Sequence, residues 1–347
     1  MNDLALIKFV SRERPTPEAL ADYGLLVLPD QLENEYPGCI RELIDAKPER
    51  PVLIYYSVLD CAPGWAGYPA SSYMLRKGSL VDVRKAWLRK EGGPPGPRAG
   101  SRPEVIYWTG SQPNLYAIDL TRTDLVARLA QVIAERHTTL TRTVGRALGL
   151  FLDNPIMSPY HLLKERNGGA APLVDGKDDE DMFNARWNRG LNFLLAGIRA
   201  YFPNAIILGN GARCEQLAQH LNGMWVQGFS KLDAKTIGRF TPPDRWVEPE
   251  MHVLDSNRGQ DGIEYAAHAA LVMGPKFMAG VIDVEHEAVM VPEVLSRELG
   301  DPADTESPVN GERWRLYASD LEHIHRVFVS EDGARWGCES ATMREGE

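Results

Sequence analysis

The sequence predicts an α/β chain folded as a single (β/α)8 TIM barrel, with long insertions after strands 3 and 4 and a C-terminal β-hairpin. Three observations carry this. Short runs of Val, Ile, Leu and aromatic residues recur along the chain, as parallel strands buried on both faces require. Amphipathic helical patterns lie between them. Five of the runs also close on an aspartate, namely Asp30, Asp60, Asp153, Asp255 and Asp283, and the C-terminal ends of barrel strands are where such folds gather reactive groups.

Eight strands are expected, at residues 5–10, 25–28, 52–57, 148–153, 205–210, 223–229, 251–256 and 277–283. Thr16 followed by Pro17 and Glu18 reads as an N-cap with proline at the first helical position, opening a helix PEALADY. In 124–140, Leu125, Leu129, Val132 and Ile133 follow a 3.6-residue period, and in 184–202 Trp187, Leu191, Leu194, Ile198 and Phe202 do the same. Shorter helices are expected in 212–220 and 262–273. Strand–helix alternation implies right-handed parallel crossovers, and eight units imply closure. A doubly wound sheet would place a glycine-rich turn after the first strand, where this chain has SRERPTP.

About ninety residues separate the third and fourth strands and about fifty the fourth and fifth, far longer than ordinary connections. The first insertion is rich in aromatics, including Trp65, Tyr68 and Trp108, and VIYW within it reads as a small extra strand. The second, 154–181, reads as a polar, mobile loop. After residue 295 a short helix over 314–323 and a hairpin turning at Asp332-Gly333 are expected. The chain is thus read as one domain over 1–347, with 1–295 the barrel and 296–347 the C-terminal helix and hairpin packed on it.

A formal charge of −10 over 347 residues excludes a general nucleic-acid binder, which needs a basic face. The one basic stretch, 84–102 around GGPPGPRAG, reads as a solvated surface loop. No apolar run approaches the roughly 18 residues of a membrane span. Asp3 and Lys8 break the pattern of an export signal. A cytoplasmic protein, or one released by a non-signal route such as with a phage, is therefore expected, with no membrane partner.

Cys39, Cys61, Cys214 and Cys338 lack zinc-finger or disulfide-framework spacing and read as reduced, packed thiols. The nearest approaches to a metal cluster are His323 with His325, and Asp283 with Glu285, His286 and Glu287. Neither has HExxH-like spacing, so no metal and no cofactor are expected. There is no P-loop and no GxSxG elbow, and Ser57 lies on a strand rather than a nucleophile turn. Oligomeric state is left open by the sequence.

On barrel strands, the groups at the C-terminal ends converge on one pocket: Asp30, Ser57, Asp60, Asp153, Asn154, Asn210, Gln227, Asp255 and Asp283. Such a carboxylate-lined cleft suits glycoside cleavage, which needs one protonated acid and one ionised one. Tyr56, Tyr160, Trp225 and Phe229, with Trp65, Tyr68 and Trp108, are candidates to present ring faces to sugars. A structural reading stands beside this one. Asp153-Asn154-Pro155 also fits an Asx turn, Asp255 and Asp283 also fit helix caps, and Asp30 reads as structural.

The order of VLIYYSVLD, AWLRKEGG, YWTG…LYAIDLTR, LGLFLDN, NGMWVQGF and HRVFVSEDG resembles the glycoside hydrolase barrels related to endo-α-1,4-polygalactosaminidases. The resemblance spans most of the chain through short motifs. It implies a catalytic carboxylate in the GxFLDN-like strand, which falls on Asp153, and a substrate that is a polysaccharide, including amino-sugar polymers. It also implies a glutamate in a strand of the form GxxxEGF, where this chain has Gln227. An amide cannot exchange a proton as that glutamate would. Three readings follow: an introduced Glu-to-Gln change that traps substrate, an acid role taken by Asp255 or Asp60, or a carbohydrate-binding barrel, such as a virion or cell-surface component, that does not cleave.

Overall fold

The computed structural model describes residues 4–8, 14–58, 60–61, 116–175, 177–211, 214–256, 259–283, 291–296, 299, 301–302, 307–309, 311–318 and 323–342. The eight expected strands are present: β1 (Leu4–Lys8), β2 (Tyr23–Pro29), β3 (Val52–Ser57), β6 (Gly149–Asp153), β7 (Ile207–Asn210), β8 (Gly223–Gln227), β9 (His252–Asp255) and β10 (Phe277–Asp283). They form a closed parallel barrel in which β1 pairs with both β2 and β10. Between β3 and β6, the short strands β4 (Asp60–Cys61) and β5 (Tyr116–Ala117) pair antiparallel. The readings of Trp65, Tyr68, the basic stretch 84–102 and the VIYW strand with Trp108 lie outside the described residues.

Why the strands read as continuous apolar runs is plain from the two cores. One residue parity points into the barrel, where Leu25, Leu53, Phe151, Leu208, Trp225 and Val253 pack together. The other parity, including Leu26, Ile54, Tyr56, Leu150 and Leu152, packs under the helices. Both faces are dry, so both must be apolar. The helices Thr123–Val144 and Glu180–Tyr201 cover the barrel side by side and bury Leu129, Val132, Ile133, Trp187, Leu191, Leu194 and Ile198. Asp179 caps the second by accepting from the Met182 N–H at 2.9 Å.

Several local expectations are corrected. PEALADY is a set of turns rather than a helix, although the Thr16 hydroxyl does accept from the Ala19 N–H. A helix at Cys39–Ala46 went unpredicted, yet it carries a helical apolar stripe in Ile40, Leu43 and Ile44. Residues 212–220 yield a 3-10 segment, Cys214–His220, rather than an α-helix. The second insertion is no mere loop. It holds the helix Tyr160–Arg166, and Asn184 and Asn188 pin its entry by accepting from the Tyr160 and Ser158 N–H groups.

At the C-terminus the expected helix over 314–323 is instead strand β13 (Glu312–Ala318). It joins β11 (Asp301–Pro302), β12 (Ser307–Val309), β14 (His323–Ser330) and β15 (Trp336–Thr342) in an antiparallel sheet, with the expected hairpin turn between β14 and β15. Alternate residues of β13 reach the helix Gly259–Met273, as a two-residue period dictates: Arg315 donates to the Met273 carbonyl and Tyr317 to that of Leu271. Among the described residues, no helix is long and apolar enough to cross a membrane. Nor is any group of three or more His, Cys, Asp or Glu side chains placed to hold a metal ion.

Candidate active site

Strand parity builds the site. Two residues beyond the inward-facing Tyr55, Phe151, Leu208, Trp225 and Val253 stand Ser57, Asp153, Asn210, Gln227 and Asp255, which therefore point to the same side of their strands at the C-terminal end of the barrel. Register aligns them: Ser57 lies opposite Asp153, Asp153 opposite Asn210, and Gln227 opposite Asp255. Apolar layers fill the barrel below, and this uppermost polar layer faces the rim.

Asp153 is half-buried and held from several directions. The Tyr55 hydroxyl donates to Oδ2 at 2.5 Å, Asn210 Nδ2 donates to Oδ1 at 2.9 Å, and Asn154 donates through its backbone N–H at 3.0 Å and its Nδ2 at 3.1 Å. Asn154 adopts φ 61°, a left-handed conformation that asparagine tolerates better than most residues, and its N–H is shared between the carboxylate and the Asn210 carbonyl, 2.7 Å away. Burial pushes the Asp153 carboxyl above its ordinary value, while the bonds from Tyr55, Asn210 and Asn154 pull the other way by favouring the charged form. Removing one donor should shift this balance. In Tyr55→Phe the Asp153 pKa is expected to rise, because a hydrogen bond that favours the charged form is lost. Carboxyl-carbon NMR titration checks it, and an unmoved pKa would show that Tyr55 does not set this charge.

Asp255 lives differently. It is 2% exposed and receives one side-chain donor, Trp225 Nε1, at 3.1 Å. Burial therefore dominates, and its carboxyl is pushed up from 3.8 to about 6. The Trp225 indole runs beneath the site across to β10. A Cβ placed on Gly280 would lie 2.8 Å from its Cζ2, so a side chain there would displace the ring.

The structure brings Asp153, Asn154, Asn210, Gln227 and Asp255 to one end of the barrel and removes others from it. Tyr56 has the outward parity; it is fully buried and its hydroxyl meets His137 Nδ1 at 3.3 Å, so it offers nothing to a ligand. Its neighbour Tyr55, which the sequence reading passed over, points inward instead. The signal was available, since Tyr55 is two residues from Ser57. Phe229 is 3% exposed and stacks on Tyr265, with ring centroids 5.4 Å apart. Trp225 is 1% exposed, hence a floor rather than an open ring face. Tyr160 is buried and bonded to Asp178. Asp30 pairs with Arg136 under the helix Thr123–Val144 and is no part of an acidic rim. The backbone of Asp60 lies in β4 and that of Asp283 ends β10; both side chains, like all of Trp108, lie outside the described residues.

A cavity of about 300 Å³ opens beside this layer, lined among the described residues by Asn154, Asn210, Gly211, Trp225, Val226, Gln227 and Arg239. Arg239 was not anticipated from sequence, for it ends the short helix Ala234–Gly238, which no apolar pattern announced.

Fold and cleft together define a (β/α)8 barrel with a polar layer at the strand ends. No family model matches the sequence, and no curated protein does. Among solved structures, the chain is similar to the debranching enzyme of Nostoc punctiforme in an acarbose-soaked crystal, with TM-score 0.50 and 10% identity over 95% of this chain and 89% of that one. A GH36 α-galactosidase from Geobacillus stearothermophilus matches with TM-score 0.47 and 9% identity, over 95% of this chain and 47% of that one. An uncharacterized protein from Listeria monocytogenes matches with TM-score 0.44 and 13% identity, over 84% of this chain and 29% of that one. At such identities the likeness concerns the fold.

Proposed function

We propose that this chain is a glycoside hydrolase acting on a polysaccharide, with Asp153 the ionised carboxylate that attacks or activates water and Asp255 the protonated one that assists the leaving oxygen. One observation carries the reading. Two carboxyls stand at the same barrel end with unlike hydrogen-bonding partners: burial raises both, but Asp153 accepts from Tyr55, Asn154 and Asn210, which favour its charged form, whereas Asp255 has one side-chain donor and is pushed to about 6. The fold shared with a debranching enzyme and the resemblance of the strand-end motifs to polygalactosaminidase-like barrels both fit this reading, as does the placement of the cleft at the C-terminal strand ends.

A second reading, a barrel that binds glycan without cleaving it, is favoured by Gln227, whose amide occupies the place where the resemblance implies a glutamate. Reducing-end release from a panel of neutral, amino-sugar and uronate polysaccharides, with the native chain and with Gln227→Glu, separates the two. Turnover by the native chain is the expected result. Turnover only by Gln227→Glu would return the acid role to position 227, binding without turnover in either form would favour the binding barrel, and neither binding nor turnover would end both readings.

A further inference from the structure

The amides at the cleft mouth have a definite polarity. An ionised Asp153 can only accept hydrogen bonds, so the Asn210 group 2.9 Å from it must be the Nδ2 donor. The same nitrogen reaches Gln227 Oε1 at 3.3 Å. With its oxygen turned toward Asn210, exposed Gln227 presents its Nε2 donors away from Asn210. Arg239 lines the same cavity. Its Nε approaches Glu215 Oε2 at 3.4 Å, a long contact, and its Nη groups have no partner among the described residues. The described lining thus holds one guanidinium and three carboxamides, with the Asp153 carboxylate directly behind Asn154 and Asn210, which donate to it.

Asp153 is already engaged by those donors, so the charged side chain among the lining residues is Arg239, which disfavours a cationic ligand. An amino-sugar polymer, as the family resemblance would have it, sets an ammonium against Arg239. The chain's overall charge of −10 favours cations at long range, but salt screens it within about 8 Å at physiological ionic strength. Recognition inside a 300 Å³ cavity is decided by the groups that line it. A guanidinium edge matches a planar carboxylate with two parallel hydrogen bonds, and a nearby amide donor adds a third.

We propose that the cleft selects a polysaccharide whose sugar carries a carboxylate, a uronate, captured by the Nη edge of Arg239 with Gln227 Nε2 donating beside it. The proposal rests on the glycan reading of the cleft and narrows it to a substrate class. Arg239 is then a specificity residue and takes no part in bond cleavage.

Calorimetric titration of the full chain tests this, in an Asp255→Asn background that stops turnover and leaves the Asp153–Asn210–Gln227 contacts in place. The probes are oligomers of galacturonate, glucuronate and mannuronate, the carboxyl-reduced neutral counterpart of each, and oligogalactosamine. At least one uronate series should bind, and its reduced counterpart should bind about tenfold or more weakly, as expected for loss of a hydrogen-bonded ionic contact. Adding Arg239→Gln should bring the pair to within about twofold of each other, with Arg239→Lys restoring the preference only in part. A thermal melt shows whether each variant is folded. Equal binding of the neutral counterpart, tightest binding of oligogalactosamine, or a uronate preference that survives in folded Arg239→Gln would overturn the proposal while leaving the glycan reading standing. Failure of every oligosaccharide to bind would overturn both.

Discussion

Asp153→Asn is expected to lower turnover by about a thousandfold or more on whatever polymer the native chain cleaves, while the affinity for that polymer changes little. The substitution is nearly isosteric and an asparagine carbonyl can still accept from Tyr55, but its amide then faces the Asn210 and Asn154 donors, so a thermal melt must accompany the rates. What the substitution removes is the carboxylate onto which Tyr55, Asn154 and Asn210 donate. Rates and binding must be measured separately, because the loss should fall on kcat rather than on affinity. Should turnover persist within about tenfold of native, Asp153 is a structural turn residue after all.

The second large effect concerns Asp255 and has a definite sign. Its carboxyl ionises near 3.8 in an unfolded chain and at about 6 in the folded one. Between those values the folded protein keeps a proton that the unfolded protein has released, so stability falls as pH rises and the full penalty is present above about 6. A shift of about two units corresponds to at most about 3 kcal/mol. Asp255→Asn removes the penalty, and its carbonyl can still accept from Trp225 Nε1. Urea unfolding should therefore find this variant more stable than native at pH 8, by about 1–3 kcal/mol, and indistinguishable near pH 3.5. If Asp255 is the general acid proposed above, activity should decline as pH rises through about 6. A variant no more stable than native at pH 8 would mean that Asp255 is not held against its charge. A stabilised yet inactive Asp255→Asn is the usual relation between a reactive group and the fold that houses it.

Much of this was legible in the sequence because parallel barrel strands are dry on both sides. Runs such as LGLFLD and MHVLD stand out from any alternating pattern, and all eight emerged near their observed bounds. The strand-end groups were legible for the same reason. Facing direction was not, because a run apolar on both sides conceals its parity. Tyr55 and Tyr56 look alike in VLIYYS, and only the pairing with β6 shows that one meets Asp153 and the other His137. Arg239 was hidden differently: its helix buries no residue, so no periodicity marked it. The sheet strand β13 was mistaken for a helix because its alternation depends on tyrosine and arginine reaching the helix Gly259–Met273, a contact that only the folded chain displays.

The pairing of β4 with β5 sets Asp60 beside Ala117 and Cys61 beside Tyr116, so the backbone leaves this clasp and re-enters it at one spot. Lengthening or exchanging such an excursion costs closure entropy that grows only with the logarithm of its length, roughly 0.6 kcal/mol per doubling. The clasp thus ties both ends of that connection together just beyond β3, where register sets Ser57 opposite Asp153.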